Sequence, residues 1–98
     1  MVYVIAYLKA HAGKGDEVAA LAAPLIEATR KEEGCVSYDL YRKTTEPDML
    51  VFVETWKSPA AVDDHFAEPH LKSFQAAMAT LLAEVRVEVV HPDKVEVL

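Results

Sequence analysis

The chain has 98 residues, 52% of them hydrophobic, with a formal net charge of -6. That length fits one domain with a modest core, because so short a chain buries only about two-thirds of its unfolded surface, and the apolar surplus points to a subunit interface. The acidic balance argues against nucleic-acid partners and does not favour an anionic membrane surface, and the single cysteine, Cys35, permits neither an internal disulfide nor a cysteine-based zinc cluster.

Val2 to Ala10 is rich in β-branched and aromatic residues and reads as a first strand. No basic stretch precedes it and no small-residue cleavage site follows, so it is not a signal peptide. No segment is long enough to span a bilayer. With a lone thiol that suits a reducing compartment, a cytoplasmic location is the expectation. After the Ala12-Gly13-Lys14-Gly15 break, Asp16 is placed to cap a helix. Val18, Leu21, Ala22, Leu25 and Thr29 recur at helical spacing, which predicts a helix to about Glu33. Pro24 should kink or divide it near Ala23, and Gly34 supplies the stop. Arg30-Lys31-Glu32-Glu33 reads as a solvated helix end.

Cys35 to Thr44 is the second predicted strand and Met49 to Lys57 the third, joined by a turn at Glu46-Pro47-Asp48. Ser58 and Pro59 open a short helix whose one face carries Ala61, Val62, His65 and Phe66. Pro69 restarts a helix with a stripe of Leu71, Phe74, Met78, Leu81 and Leu82. Val85 to Val90 is the fourth strand, and a short extended tail follows a turn at His91. The order βαββαβ predicts an α+β, ferredoxin-like domain spanning residues 1–98, with a four-stranded antiparallel sheet and helices on one face.

Both faces of the strands are apolar. Val2, Val4, Ala6 and Leu8 oppose Tyr3, Ile5 and Tyr7, while Leu50, Phe52 and Trp56 oppose Val51 and Val53. Helices cover only one face, so the other is expected to meet a second copy, giving a homodimer packed sheet to sheet. The tail Val95 to Leu98 could cross to that partner.

Glu33-Gly34-Cys35 before Tyr38-Asp39-Leu40, then Phe52-x-Glu54-x-Trp56, Ser58, Ala60-Ala61, His65 and Pro69-His70, resemble the antibiotic biosynthesis monooxygenase family. The resemblance runs from about Val2 to Val90. It implies a dimeric α+β barrel with a ligand cavity between sheet and helices. It also implies one of several activities: cofactor-independent oxidation of quinols or polyketides, haem degradation, or isomerisation of a phosphorylated signal molecule. The haem-degrading branch resembles the chain in the first strand and around the helix after the third, but carries asparagine at Tyr7, tryptophan at His65 and a histidine near Gln75, so haem cleavage is not expected.

Of the candidate groups, His65 is the choice for a catalytic base, because a neutral imidazole exchanges a proton near pH 7. Glu54, flanked by Phe52 and Trp56, could orient His65 or act as a base itself; a structural ion pair with Arg42 is the plainer alternative. Trp56, Phe52, Tyr38 and Tyr7 are candidates for lining a substrate site, with core packing as the alternative for each. His70 is a lesser catalytic candidate, placed to stabilise a helix junction. His65 and His70 lack the spacing of a metalloprotease pair, and there is no phosphate-cradling, flavin or nicotinamide motif, so neither metal nor cofactor is expected. The leading reading is a cofactor-independent monooxygenase acting on a quinol-like or polyphenolic small molecule with dioxygen. The alternatives are an isomerase of a small keto metabolite and a non-catalytic dimer that binds a small molecule.

Overall fold

The computed structural model describes residues 1–98. Strand β1 is Val2–Ala10, α1 Gly15–Arg30, β2 Cys35–Lys43, β3 Glu46–Trp56, α2 Pro59–Ala67, α3 Pro69–Met78 and β4 Leu82–Val90. The sheet is antiparallel in the order β2-β3-β1-β4, the ferredoxin-like arrangement that the element order predicts.

Alternation along the strands sorts the side chains onto two faces. Val2, Val4, Ala6 and Leu8 of β1 and Leu50, Phe52, Glu54 and Trp56 of β3 are buried on the inner face. Helix α1 meets them with Val18, Ala22, Leu25 and Thr29, and α3 with Leu71, Phe74 and Met78. Tyr3, Ile5 and Tyr7 are partly covered on the outer face, where Val53 is 39% and Tyr41 58% exposed.

Several local expectations need correction. Pro24 neither divides α1 nor ends it; its ring is on the exposed side, so the helix gives up one backbone bond and keeps its apolar face. The helix stops at Arg30 rather than Glu33, where Lys31 and Glu32 donate to Ala28 and Thr29 carbonyls in a tightened last turn. Asp16 lies inside the first turn and does not cap it. The donors at that end are met by Asp48 from β3, whose carboxylate accepts from Gly13 N at 3.0 Å and Gly15 N at 2.9 Å. Gly13 has φ 79°, which is what lets the chain turn onto Asp48. Arg42 binds Asp16 at 2.7 Å and the Gly15 carbonyl at 2.8 Å, locking β2 to the start of α1.

The hairpin turns at Thr44-Thr45, and Glu46 to Asp48 already belong to β3. Pro47 is tolerated because it falls where the β2–β3 register shifts, so no partner needs its missing N–H. Helix α3 ends at Met78; Leu81 is buried in the following connection and Leu82 opens β4, three residues before the expected start at Val85. Gly34 is not left-handed. A Cβ there would collide with Ala61 Cβ, so its function is the close approach of β2 to α2. No helix is long and apolar enough to cross a membrane.

Candidate functional site

Between the inner face of the sheet and helices α2 and α3 lies a cavity of about 360 Å³. Its walls are Val4, Ala6 and Leu8 from β1, Val85 and Val87 from β4, and Leu71, Phe74 and Met78 from α3. Thirteen of the 16 lining residues are hydrophobic; the polar three are Glu54, His65 and Gln75. A charge or dipole in such surroundings is poorly screened and acts strongly on whatever enters.

Helix α2 delivers His65. Ser58 Oγ accepts from Ala61 N at 3.1 Å and Pro59 occupies the first turn, which fixes where the helix starts. Ala61, Val62 and His65 then face inward, and His65 is 1% exposed. Its ring lies 4.5 Å from that of Trp56 and 5.4 Å from that of Tyr38. His65 Nδ1 is 2.8 Å from Glu32 Oε2, and His70 Nε2 reaches the same oxygen at 2.7 Å. Burial holds the His65 pKa below the ordinary imidazole value; the bond to Glu32 pulls it back up, and His70 adds to the lowering. The imidazole is therefore neutral at pH 7.

Glu54 enters from β3 and is 3% exposed. Its Oε1 accepts from Trp56 Nε1 at 3.0 Å. Burial raises its pKa to about 7, against the lowering by the Trp56 bond and with a smaller upward push from Glu32. This carboxyl is divided between neutral and ionised forms at neutral pH. Tyr38, also on the cavity wall, stays a phenol: burial and the Glu54 and Glu32 charges push its pKa upward.

The structure thus places His65, Glu54, Tyr38 and Phe52 around one cavity. Two of the residues proposed to line it do not. Tyr7 alternates onto the outer face, beside Lys9 and Met49, because the inward positions of β1 are the even-numbered ones. Trp56 is 0% exposed and lies behind the site, where it holds the Glu54 carboxylate and backs the His65 ring, so it offers no face to a ligand. The carboxylate partner of His65 is Glu32, not Glu54, and Arg42 is engaged by Asp16, not Glu54.

Glu32 is the residue that sequence reasoning missed. Its side chain is 11% exposed, although it stands in a charge run that reads as solvated. It lies just past the helix, outside any periodic pattern, and only the turn toward Gly34 aims it inward. Cys35, next to this turn, is half-buried, with its thiol pKa raised mainly by burial. Ligand atoms of Glu32, His65 and His70 all lie within 4.8 Å of one another, a cluster that could hold a cation. Sequence spacing alone excludes only a pair on one helix; here the two histidines meet across the α2–α3 junction. Both nitrogens are at N–H···O length from a single oxygen, and two N–H donors account for that geometry.

Residues 1–77 match the family model described as antibiotic biosynthesis monooxygenase. The chain belongs to the antibiotic biosynthesis monooxygenase family. The family is described by its monooxygenases, and relatives from Bacillus subtilis and Mycobacterium tuberculosis are named putative monooxygenases. Among its relatives, the uncharacterized protein sll1783 of Synechocystis is 36% identical over 83 residues, which are 85% of this chain and 56% of that one. The match therefore spans little more than half of that relative's length. The Escherichia coli protein named "Probable quinol monooxygenase YgiN" is 28% identical over 102 residues, covering 94% of this chain and 98% of its own. The solved structure of Rv0793 from Mycobacterium tuberculosis superposes with a TM-score of 0.87 at 35% identity, covering 95% of each chain.

Proposed function

We propose that this protein is a cofactor-independent monooxygenase that oxidises a neutral, quinol-like or polyphenolic molecule with dioxygen. The observation that carries the reading is the apolar cavity with a neutral imidazole and a partly neutral carboxyl as its principal polar groups. The family and the quinol named for YgiN support it. His65 takes the proton from a phenolic hydroxyl through the ring nitrogen not engaged by Glu32. Glu54, when protonated, donates a hydrogen bond to a second substrate oxygen. The electron-rich anion reduces dioxygen; one oxygen atom enters the substrate and the other leaves as water, the substrate losing four electrons in all, two to the inserted oxygen and two to the water. The apolar walls keep bulk water from the intermediate. The alternative of a phosphorylated keto metabolite is disfavoured, because no Lys or Arg lines the cavity to hold an anion.

A second copy completes the picture. The outer sheet face carries Tyr3, Ile5, Tyr7, Val51 and Val53 with no helix over it, and the tail leaves Val97 and Leu98 exposed. We propose that this face packs against its equivalent in a homodimer.

The test is anaerobic incubation of the pure protein with a panel of quinols, followed by addition of ¹⁸O-labelled dioxygen. Product carrying one labelled oxygen, formed faster than in a His65→Ala control, is the expected result. Equal rates in both proteins across the panel would sink the proposal.

A further inference from the structure

We infer that Glu32 is the positioning residue of the His65 base, fixing its proton on Nδ1 so that Nε2 presents a lone pair to the cavity, while His70 limits how strongly that carboxylate holds it. The inference rests on the enzymatic reading for its kinetic consequence, but not for its geometry.

Three observations converge. His65 lines the cavity, yet its Nδ1 is taken by Glu32 Oε2 at 2.8 Å. An ionised carboxylate accepts only, so the hydrogen in that bond belongs to Nδ1, and the neutral ring is left with an unprotonated Nε2. Exposure rises outward through the cluster, from 2% for the His65 side chain to 11% for Glu32 and 22% for His70. The base is thus sealed from water on the Glu32 side, and its carboxylate is held in place by a second donor nearer the surface.

The shared oxygen has a consequence. One carboxylate neutralises one imidazolium, not two. When His65 accepts a substrate proton at Nε2, the Nδ1–H···O⁻ bond becomes charge-assisted and stabilises the cation. His70 competes for that same charge. The proton stays on His65 until it is returned to the departing oxygen, so none has to leave the cavity.

The titratable groups acting on His65 are Glu32 in the turn after α1 and Glu68 and His70 at the α2–α3 junction, and Glu54 on β3 and Tyr38 on β2 share its cavity. A pH effect must be assigned among them by variants. The full chain, labelled with ¹⁵N-histidine, is examined by long-range ¹H–¹⁵N NMR with no substrate present. The expected spectrum shows His65 protonated at Nδ1 and bare at Nε2 at pH 7.5. Glu32→Gln should mix the tautomers and move the His65 titration down. His70→Asn, which retains a side-chain donor but no titrating ring, should move it up. With a turned-over quinol, Glu32→Gln should lower kcat at least about 10-fold with KM little changed, as expected when a carboxylate that fixes the tautomer of a histidine base is lost. A His65 ring protonated at Nε2, a titration indifferent to both substitutions, or stoichiometric zinc binding lost in His70→Asn would overturn the assignment. The tautomer is read without substrate, so it stands or falls independently of whether any quinol is oxidised.

Discussion

Replacing Glu54 by glutamine should make the protein more stable at alkaline pH and leave it nearly unchanged at acid pH. The carboxyl pKa rises from 4.5 when free to about 7 in the fold, with burial as the largest cause. A pKa raised by folding means that the native state binds the proton more tightly than the unfolded chain. The associated stability is therefore fully present below pH 4.5 and is lost as pH rises through about 7. At about 1.4 kcal/mol per pH unit, the interval amounts to roughly 3 kcal/mol. Glutamine keeps an oxygen to accept from Trp56 Nε1 and never ionises. Urea unfolding of wild type and Glu54→Gln at pH 5.0 to 8.5, at one fixed protein concentration, isolates this residue from the histidines, which both proteins share. The free-energy difference should open toward high pH by an amount of that order. Parallel curves across the range would mean that Glu54 is ionised throughout, and the argument for a neutral acid in the cavity would fail.

Other outcomes follow from individual contacts. Trp56→Phe leaves buried Glu54 Oε1 without its donor and should lower stability by about 1–3 kcal/mol in chemical denaturation, while raising the Glu54 pKa further. Gly34→Ala forces a Cβ against Ala61 and should cost about 1–3 kcal/mol, largely recovered in the double variant with Ala61→Gly, as thermal melts would show. Asp48→Ala removes the acceptor for Gly13 N and Gly15 N and should lower the melting temperature; in wild type the same contacts should weaken as acid protonates Asp48, whose pKa those two bonds hold down. Wild type should sediment at the mass of the proposed dimer and Val53→Lys at that of a monomer; a monomeric wild type, or a variant of unchanged mass, would refute packing through the outer sheet face.

The fold was largely legible because the alternation in β1 and β3 and the helical spacing of Val18, Ala22 and Leu25 record burial directly. The errors fall where a distant residue decides a local matter. Asp16 looks like a cap, but Asp48, 33 residues from Gly15, takes that role. Glu46-Pro47-Asp48 looks like a turn, but the register shift accommodates the proline within β3. At the site, His65 and Glu54 were legible as inward residues of a helix and a strand. Their partners were not. A side chain just beyond a helix end carries no period, so Glu32 resembled its exposed neighbours, and only tertiary contact joins it to His65 and His70.

The chain has one tryptophan, and it is the residue whose ring lies 4.5 Å from that of His65, tilted by 34°. A protonated imidazole quenches indole emission and a neutral one does so far less. Trp56 also donates to Glu54, so its fluorescence is a built-in optical gauge of the charge on both groups, and the Glu54→Gln variant leaves His65 as the one it reports, without any added dye.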